Sequence, residues 1–497
     1  LEEVVVTAEF RPLGLLDTAA SISVFDQRAI EDRSAVYLDQ LLNLAPNVNF
    51  ASGASRGRFL QIRGIGERSQ FVEPVNPSVG LLLDGMDFTG IAGVASTFDI
   101  RQIEILRGPQ GTLFGANALA GMINMVSNAP GEEFEARAGL ILGNYNQQTI
   151  DVAFGGPATG ALSWRLAAQS NQNDGYINNV FLGRPTQGID ENHARARLDW
   201  TPSASLSMDF TLLLSDVDNG YDAFSLDNTR DTYSDEPGRD TLQSIAGSWR
   251  TRWGLGNGAA IELLLSHVDA DSEYSYDEDW SHPGICQDTA CDSALWGFDW
   301  WYSSFDAYDR RNRNTVADLR WLSADQETPV SWVAGLYLRD QDQSLQRVYT
   351  FAENDFGSDY DTSNLAAYGQ MEVSLAPQWT FTAGLRLETR DFDYRDNTPG
   401  GLPSGDDEDF WGGRLALEYR TDGDLLWYGL VSRGYKPGGY NSALASQLAE
   451  LEALGVVLPE DALLFEGETL LNYEVGFKGS ALDGRLRFGL ALFYQDR

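Results

Sequence analysis

The chain has 497 residues, with 73 Asp and Glu against 35 Lys and Arg, for a formal net charge of −38. That acid excess excludes a nucleic-acid surface, which needs basic charge facing phosphate. No apolar run approaches the roughly eighteen residues of a membrane helix, so any crossing of a membrane would be made by strands. The length allows a small domain plus a large one. The charge is uneven. Residues 1–130 hold fourteen Asp and Glu against nine Arg, a net of −5, which leaves −33 on the remainder.

The N-terminal run Glu3, Val4, Val5, Val6, Thr7, Ala8 is rich in β-branched residues and predicts an exposed, extended segment. Residues 21–26 (SISVFD) predict a strand. Residues 26–43 predict a helix-rich stretch with Ile30, Leu38, Leu41 and Leu42 on its apolar face. Residues 60–66 (LQIRGIG) lead into a polar loop over 67–77, and residues 79–86 (VGLLLDGM) predict a strand closed by a tight Asp-Gly turn. Residues 99–130 hold a strand, a Gly-rich loop and a second apolar strand. That loop lacks the Gly-Lys-Ser/Thr ending of a phosphate cradle, so its glycines predict tight turns and no nucleotide chemistry.

After Pro130 the texture changes to about fifteen alternating segments. In residues 379–390, Trp379, Phe381, Ala383, Leu385 and Leu387 share one face. Thr380, Thr382, Arg386, Glu388 and Arg390 share the other. Residues 485–495 repeat the pattern. A lipid face and a wet lumen require this alternation. Short connections, such as residues 155–160, 201–205, 254–258, 324–329, 421–424 and 481–484, alternate with long polar ones near 171–192, 216–240, 272–311, 347–363, 393–409 and 437–468. Such sorting is the signature of a transmembrane antiparallel β-barrel. The 13 Trp, 20 Tyr and 24 Phe would supply its aromatic girdles.

The run Ile103–Leu106, Arg107-Gly108-Pro109, Leu113-Phe114-Gly115 and Gly121-Met122-Ile123-Asn124, together with residues 79–86, resembles the plug domain of TonB-dependent outer-membrane receptors. Residues 432–441 (SRGYKPGGYN), 473–479 (YEVGFKG) and 488–496 resemble the barrel signatures of the same family. The resemblance implies a mainly β architecture: a TonB box and linker over residues 1–10, an α+β plug over 11–130, and a barrel over 131–497. Plugged barrels of this kind have about 22 strands, so the expectation is that roughly seven C-terminal strands are missing. No signal peptide is visible, and the expectation is that one was removed before the chain begins at Leu1.

Residues 3–8 then resemble the TonB box, which adds as a strand to the sheet edge of the periplasmic TonB domain. The implied function is TonB-dependent, proton-motive-force-energised uptake of a scarce ligand across the outer membrane of a Gram-negative bacterium, with a ferric siderophore as the default. The alternatives are an oligosaccharide or other organic nutrient, or a passive porin-like barrel. The implied apex of the plug offers Arg68, Gln70, Phe71 and Glu73 as ligand contacts. The long loops add Trp280, Trp300, Trp301 and Tyr302. Arg63, Arg107 and Glu104 are expected to seat the plug against charges of the barrel wall.

Catalysis finds no support, because no Ser/His/Asp order or metal-spaced His/Cys cluster stands out. His282 is the only histidine in a long loop, which disfavours a haem ligand. Cys286 and Cys291 are either two free thiols in a reducing compartment or a small disulfide loop in an oxidising one, and their polar, aromatic surroundings favour the disulfide. No resident cofactor is expected, and iron would enter only as part of the ligand. The acids of residues 216–240 and the following loop predict a mouth that repels bare, highly charged anions and favours neutral or cationic chelates or stacked sugars. A structural Ca²⁺ at Asp216, Asp218, Asp227 and Asp231 would neutralise part of it.

Overall fold

The computed structural model describes residues 5–6, 10–74, 76–91, 93–226, 228–256, 258–286, 302–324, 329–398, 404–421, 425–445, 462–482 and 485–497. A short hairpin, β1 (Val5–Val6) with β2 (Leu13–Gly14), precedes the plug. The plug follows as β3 (Ile22–Asp26), α1 (Gln27–Arg33), α2 (Asp39–Leu42), β4 (Val48–Ala51), β5 (Phe59–Ile62), β6 (Val79–Leu83), β7 (Met86–Asp87), β8 (Ile100–Arg107), α3 (Gly111–Phe114) and β9 (Gly121–Ser127). Its five-stranded sheet runs β3-β8-β9-β6-β7, with β6 and β9 parallel. Asp26 caps α1 by accepting from the Ala29 amide at 2.8 Å, and Ser34 ends it in the left-handed region. Between β6 and β7, Asp84 and Gly85 both take positive φ (50° and 82°), as a two-residue turn of this hand requires.

The apolar face predicted for the helical stretch is buried: Ile30, Leu38, Leu41 and Leu42 join Ile103, Ile105 and Ile123 of the sheet. The same core continues into the wall through Leu213, Val217, Leu242, Ala246, Val268 and Ala270. Plug and wall therefore share one apolar interior, and separating them exposes it to water.

Residues 135–496 supply one antiparallel sheet of fifteen strands in sequence order, from Glu135–Leu142 to Leu486–Asp496. These two strands are its edges. Along each strand, alternation sends one set of side chains inward and the other outward. In the strand Trp379–Asp396, Arg386, Glu388 and Arg390 are buried while Leu385 and Leu387 are at least half exposed, at 50% and 55%. Trp200, Trp253, Trp321, Trp332, Trp379 and Trp427 all point outward near the short-turn end. They form the aromatic girdle of one membrane interface. The predicted short connections fall at that end and the long ones at the other, but the long-loop end also carries short connections at 143–147 and at 350–355, where the strands extend through most of the loop expected at 347–363.

Candidate ligand vestibule and plug seat

The plug is fastened to the wall at two heights. At mid-depth, Arg63 of the plug pairs with Glu474 of the strand Glu468–Ala481, and neither side chain is more than 1% exposed. Arg63 also donates to Asn472 Oδ1 at 3.1 Å and lies 3.9 Å from the Phe493 ring centroid. Tyr428 donates to the same Glu474 at 2.8 Å. Elsewhere on the seat the signs are reversed. Asp99 takes a two-pronged bond from Arg165 at 2.9 and 2.6 Å, and Asp87 lies 3.4 Å from Arg339. A charge inside this interface is tolerable only because it is paired and hydrogen-bonded.

The Gly-rich loop lets the plug approach the wall. Gly115 has φ 65°, and a Cβ there would stand 2.5 Å from Glu388 Oε2. Gly434 of the wall faces Pro109 in the same way, at 2.8 Å. A Cβ at Gly111 of the plug motif would stand 3.3 Å from Gly434 Cα, so glycines of the plug motif and of residues 432–441 meet at one close contact.

Two of the expected seat residues also bond within the plug. Arg107 donates to Pro46 O at 2.8 Å, to Ser21 Oγ at 3.0 Å and to Ser23 Oγ, all in the plug. Burial, helped by repulsion from Arg63, pushes its guanidinium down to about 10. Glu104 takes hydrogen bonds from Gln102 and Asn124, also in the plug. Sequence reasoning missed Asp87 and Asp99, because an acid beside a tight turn reads as a turn residue until its partner across the chain is known.

Nearer the long-loop end, Glu67 pairs with Lys436 at 2.7 Å and accepts from Ser78. Burial raises the Glu67 carboxyl, but Lys436 and the Ser78 donors outweigh it and hold the group below the ordinary glutamate value. Arg56 makes a two-pronged contact to Glu191 at 2.6 Å, and Ser55 donates to Asp240. The chain has two lysines, and both reach the plug: Lys436 as above, and Lys478 through the carbonyls of Leu15 and Thr18.

Above this upper ring lies an aromatic series. Trp280 stacks on Phe224 with centroids 4.8 Å apart. Phe224 meets Tyr221 and Tyr276, Tyr221 meets Tyr274, and Tyr274 lies 6.3 Å from Tyr308. Tyr308 reaches Phe71 on the plug at 6.0 Å. Two expected ligand contacts, Trp280 and Phe71, thus mark the ends of one path. The tyrosines between them went unrecognised, since an alternating aromatic on a strand reads equally as wall packing.

The other expected site residues scatter. Arg68 is exposed, and Gln70 donates to the Glu73 carbonyl at 3.3 Å. Tyr302 meets Phe351, which meets Tyr349, and Arg347 links Tyr349 to Tyr308 by lying over both rings. Trp300 and Trp301 lie outside the described residues. Cys286 is disulfide-bonded, and Cys291 lies outside the described residues. His282 is buried and stacked on Phe181 at 4.2 Å.

Two of the acids expected at the mouth lie elsewhere. Asp216 and Asp218 alternate with buried Val217 and Asn219 and point out of the barrel. Asp218 is paired there with Arg239 at 2.7 Å. Asp227 lies outside the described residues, and among those described no group of three His, Cys, Asp or Glu is placed to hold a metal ion. Asp222 faces inward, but Asn179, Thr186 and Thr232 all donate to it.

The N-terminal segment also differs from expectation. Val5 and Val6 are not a free strand: they pair with Gly14 and Leu13, Val6 is fully buried, and Gln102 donates to Val5 O at 2.9 Å. An apolar, β-branched pair beside the plug gains more from burial than from exposure. Glu3, Val4, Thr7 and Ala8 lie outside the described residues. Phe10, just beyond, stacks on the wall residue Tyr368 at 5.3 Å.

Residues 15–122 match the family model described as the TonB-dependent receptor plug domain, and residues 133–497 match that of the TonB-dependent receptor-like β-barrel. The chain belongs to the TonB-dependent receptors. It is similar to the pesticin receptor of Yersinia enterocolitica, 24% identical over 497 residues, covering 95% of this chain and 67% of that protein. Among solved structures, the ferric yersiniabactin uptake receptor FyuA from Yersinia pestis aligns with a TM-score of 0.78 at 20% identity, over 96% of this chain and 72% of that one. The alcaligin outer-membrane receptor FauA from Bordetella pertussis aligns with a TM-score of 0.71 at 16% identity, over 98% and 73%. These receptors are outer-membrane transport proteins, and their fold is the one described above.

Proposed function

We propose that this receptor imports a ferric siderophore across the outer membrane, with TonB supplying the force. The observation that carries the reading is the plug itself. It is seated in the lumen by buried ion pairs and shares a core with the wall, so passage needs work done on it. An open pore would need neither seat nor plug. The names of the relatives, a ferric yersiniabactin uptake receptor and an alcaligin receptor among them, support iron as the cargo.

The sequence of events follows from the contacts. Ligand enters along the aromatic series and meets the apex at Phe71. The upper ring around Glu67 and Arg56 is the nearest set of bonds that movement of the apex would disturb. At the other end, strand addition by TonB to residues 3–8 competes with the β1–β2 pairing and with the burial of Val6. Uptake of radio-iron presented as a panel of chelates tests the reading in cells with and without TonB. The expected result is uptake of at least one chelate that stops when TonB is removed. TonB-independent uptake would favour the passive barrel. Loss of all iron uptake, with TonB-dependent import of an oligosaccharide, would favour the organic-nutrient reading.

A further inference from the structure

The vestibule contains two arginines whose charge the wall does not balance. Nearby bases are neutralised: Arg56 by Glu191, Arg347 by Asp306, Arg390 by Glu408 and Lys436 by Glu67. Arg58 of the plug and Arg310 of the wall differ. Among the described residues, neither has a carboxylate within ion-pair distance. Arg58 lies over the Tyr274 ring at 5.9 Å, and its Nε is buried without a hydrogen-bond partner. Arg310 lies over Tyr308 at 5.2 Å and donates to the Phe71 carbonyl. The two guanidinium groups lie within electrostatic reach of each other, and Glu73 is the acid that also reaches Arg310.

Like charges held together in a partly desolvated site are costly unless something compensates them. Rings beneath a guanidinium lower that cost through their faces without cancelling the charge. The donors left over are forked, directional and best matched by an anionic oxygen pair. Resting on the siderophore reading, we infer that the vestibule captures its ligand as an anionic aromatic chelate, whose oxygens meet Arg58 and Arg310 while its ring packs on Tyr274, Tyr308 and Phe71. This reverses the preference for neutral or cationic ligands that the acidic loops alone suggest.

The test is fluorescence titration of the purified full chain with two probes, a trianionic ferric tris-catecholate and a neutral ferric trihydroxamate. The anionic probe should bind at least about tenfold tighter, the order expected of one or two charge-assisted contacts, and the margin should shrink with added salt. In the double variant Arg58→Gln, Arg310→Gln the margin should vanish, and in Arg58→Lys, Arg310→Lys much of it should return. Equal or tighter binding of the neutral probe by the native protein overturns the inference, even if the glutamine variant fails to fold. So does a margin that survives in a folded glutamine variant, or failure of both probes to bind. A third arm separates this from the iron reading. Iron-free 2,3-dihydroxybenzoate should compete with the anionic probe in native protein and not in the glutamine variant. That result, with no iron chelate imported by cells, would keep the anion site and discard iron. Import of the neutral chelate alone would keep iron and discard the anion site.

Discussion

The mid-depth seat and the upper ring hold the same plug by different means. At the seat, Arg63 and Glu474 are at most 1% exposed, and Asn472, Tyr428 and Phe493 complete their shells. In the upper ring, Glu67 and Lys436 remain 15% and 13% exposed. Water can replace part of the Glu67–Lys436 bond as it breaks, and it does not reach the Arg63–Glu474 pair. The apex is therefore the end that yields to a ligand, and the seat is the part that needs pulling.

The sharpest way to break the comparison is Glu474→Ala. It leaves Arg63 buried and unpaired, and should destabilise the plug's attachment by about 3–5 kcal/mol. Hydrogen exchange over β5 and β8 in the purified protein would show it as faster opening. Replacing both partners, as Arg63→Met with Glu474→Leu, should restore most of the protection, because an apolar pair of similar size leaves no stranded charge.

Lys436→Met at the upper ring should cost less, about 1–2 kcal/mol, and exchange should quicken mainly over residues 66–78. The pH dependence separates the two heights further. The Glu67 carboxyl is held below its ordinary value of 4.5. Its contribution is complete above that value and is lost as pH falls through the lower folded one. Acidification below about 4.5 should therefore loosen the apex of the native protein and have little effect on the methionine variant. Exchange measured at successive pH values checks this.

The smallest effect should come from outside the barrel. Asp218→Asn removes a pair in which both side chains are more than half exposed, and should shift stability by no more than about 0.5 kcal/mol. It should also leave Ca²⁺ sensitivity unchanged, since Asp218 points away from the lumen. Thermal melts with and without Ca²⁺ would show both.

The division into plug and barrel, the helical face of Ile30, Leu38, Leu41 and Leu42, and the fifteen strands with their sorted loops were legible in the sequence. Each rests on local periodicity, or on turn residues whose backbone geometry is fixed by their own chemistry. The site was less legible. Asp216 and Asp218 looked like a mouth because a strand's outward and inward positions differ by one residue, and the register is set by partners far along the chain. Arg63 was readable as a seat residue, but Arg107 was not separable from it until Ser21, Ser23 and Pro46 were seen around its donors. Arg58 and Arg310 lie more than 250 residues apart, and only folding shows that both lack a counter-charge.

Removal of residues 2–8 tests the central claim most directly, with ligand binding at the cell surface and uptake measured on the same cells. The account predicts that binding persists and uptake falls to the level of cells lacking TonB, because that segment is proposed to recruit TonB while the ligand is proposed to dock at Phe71, Tyr274 and Tyr308. Uptake that survives the deletion would contradict it.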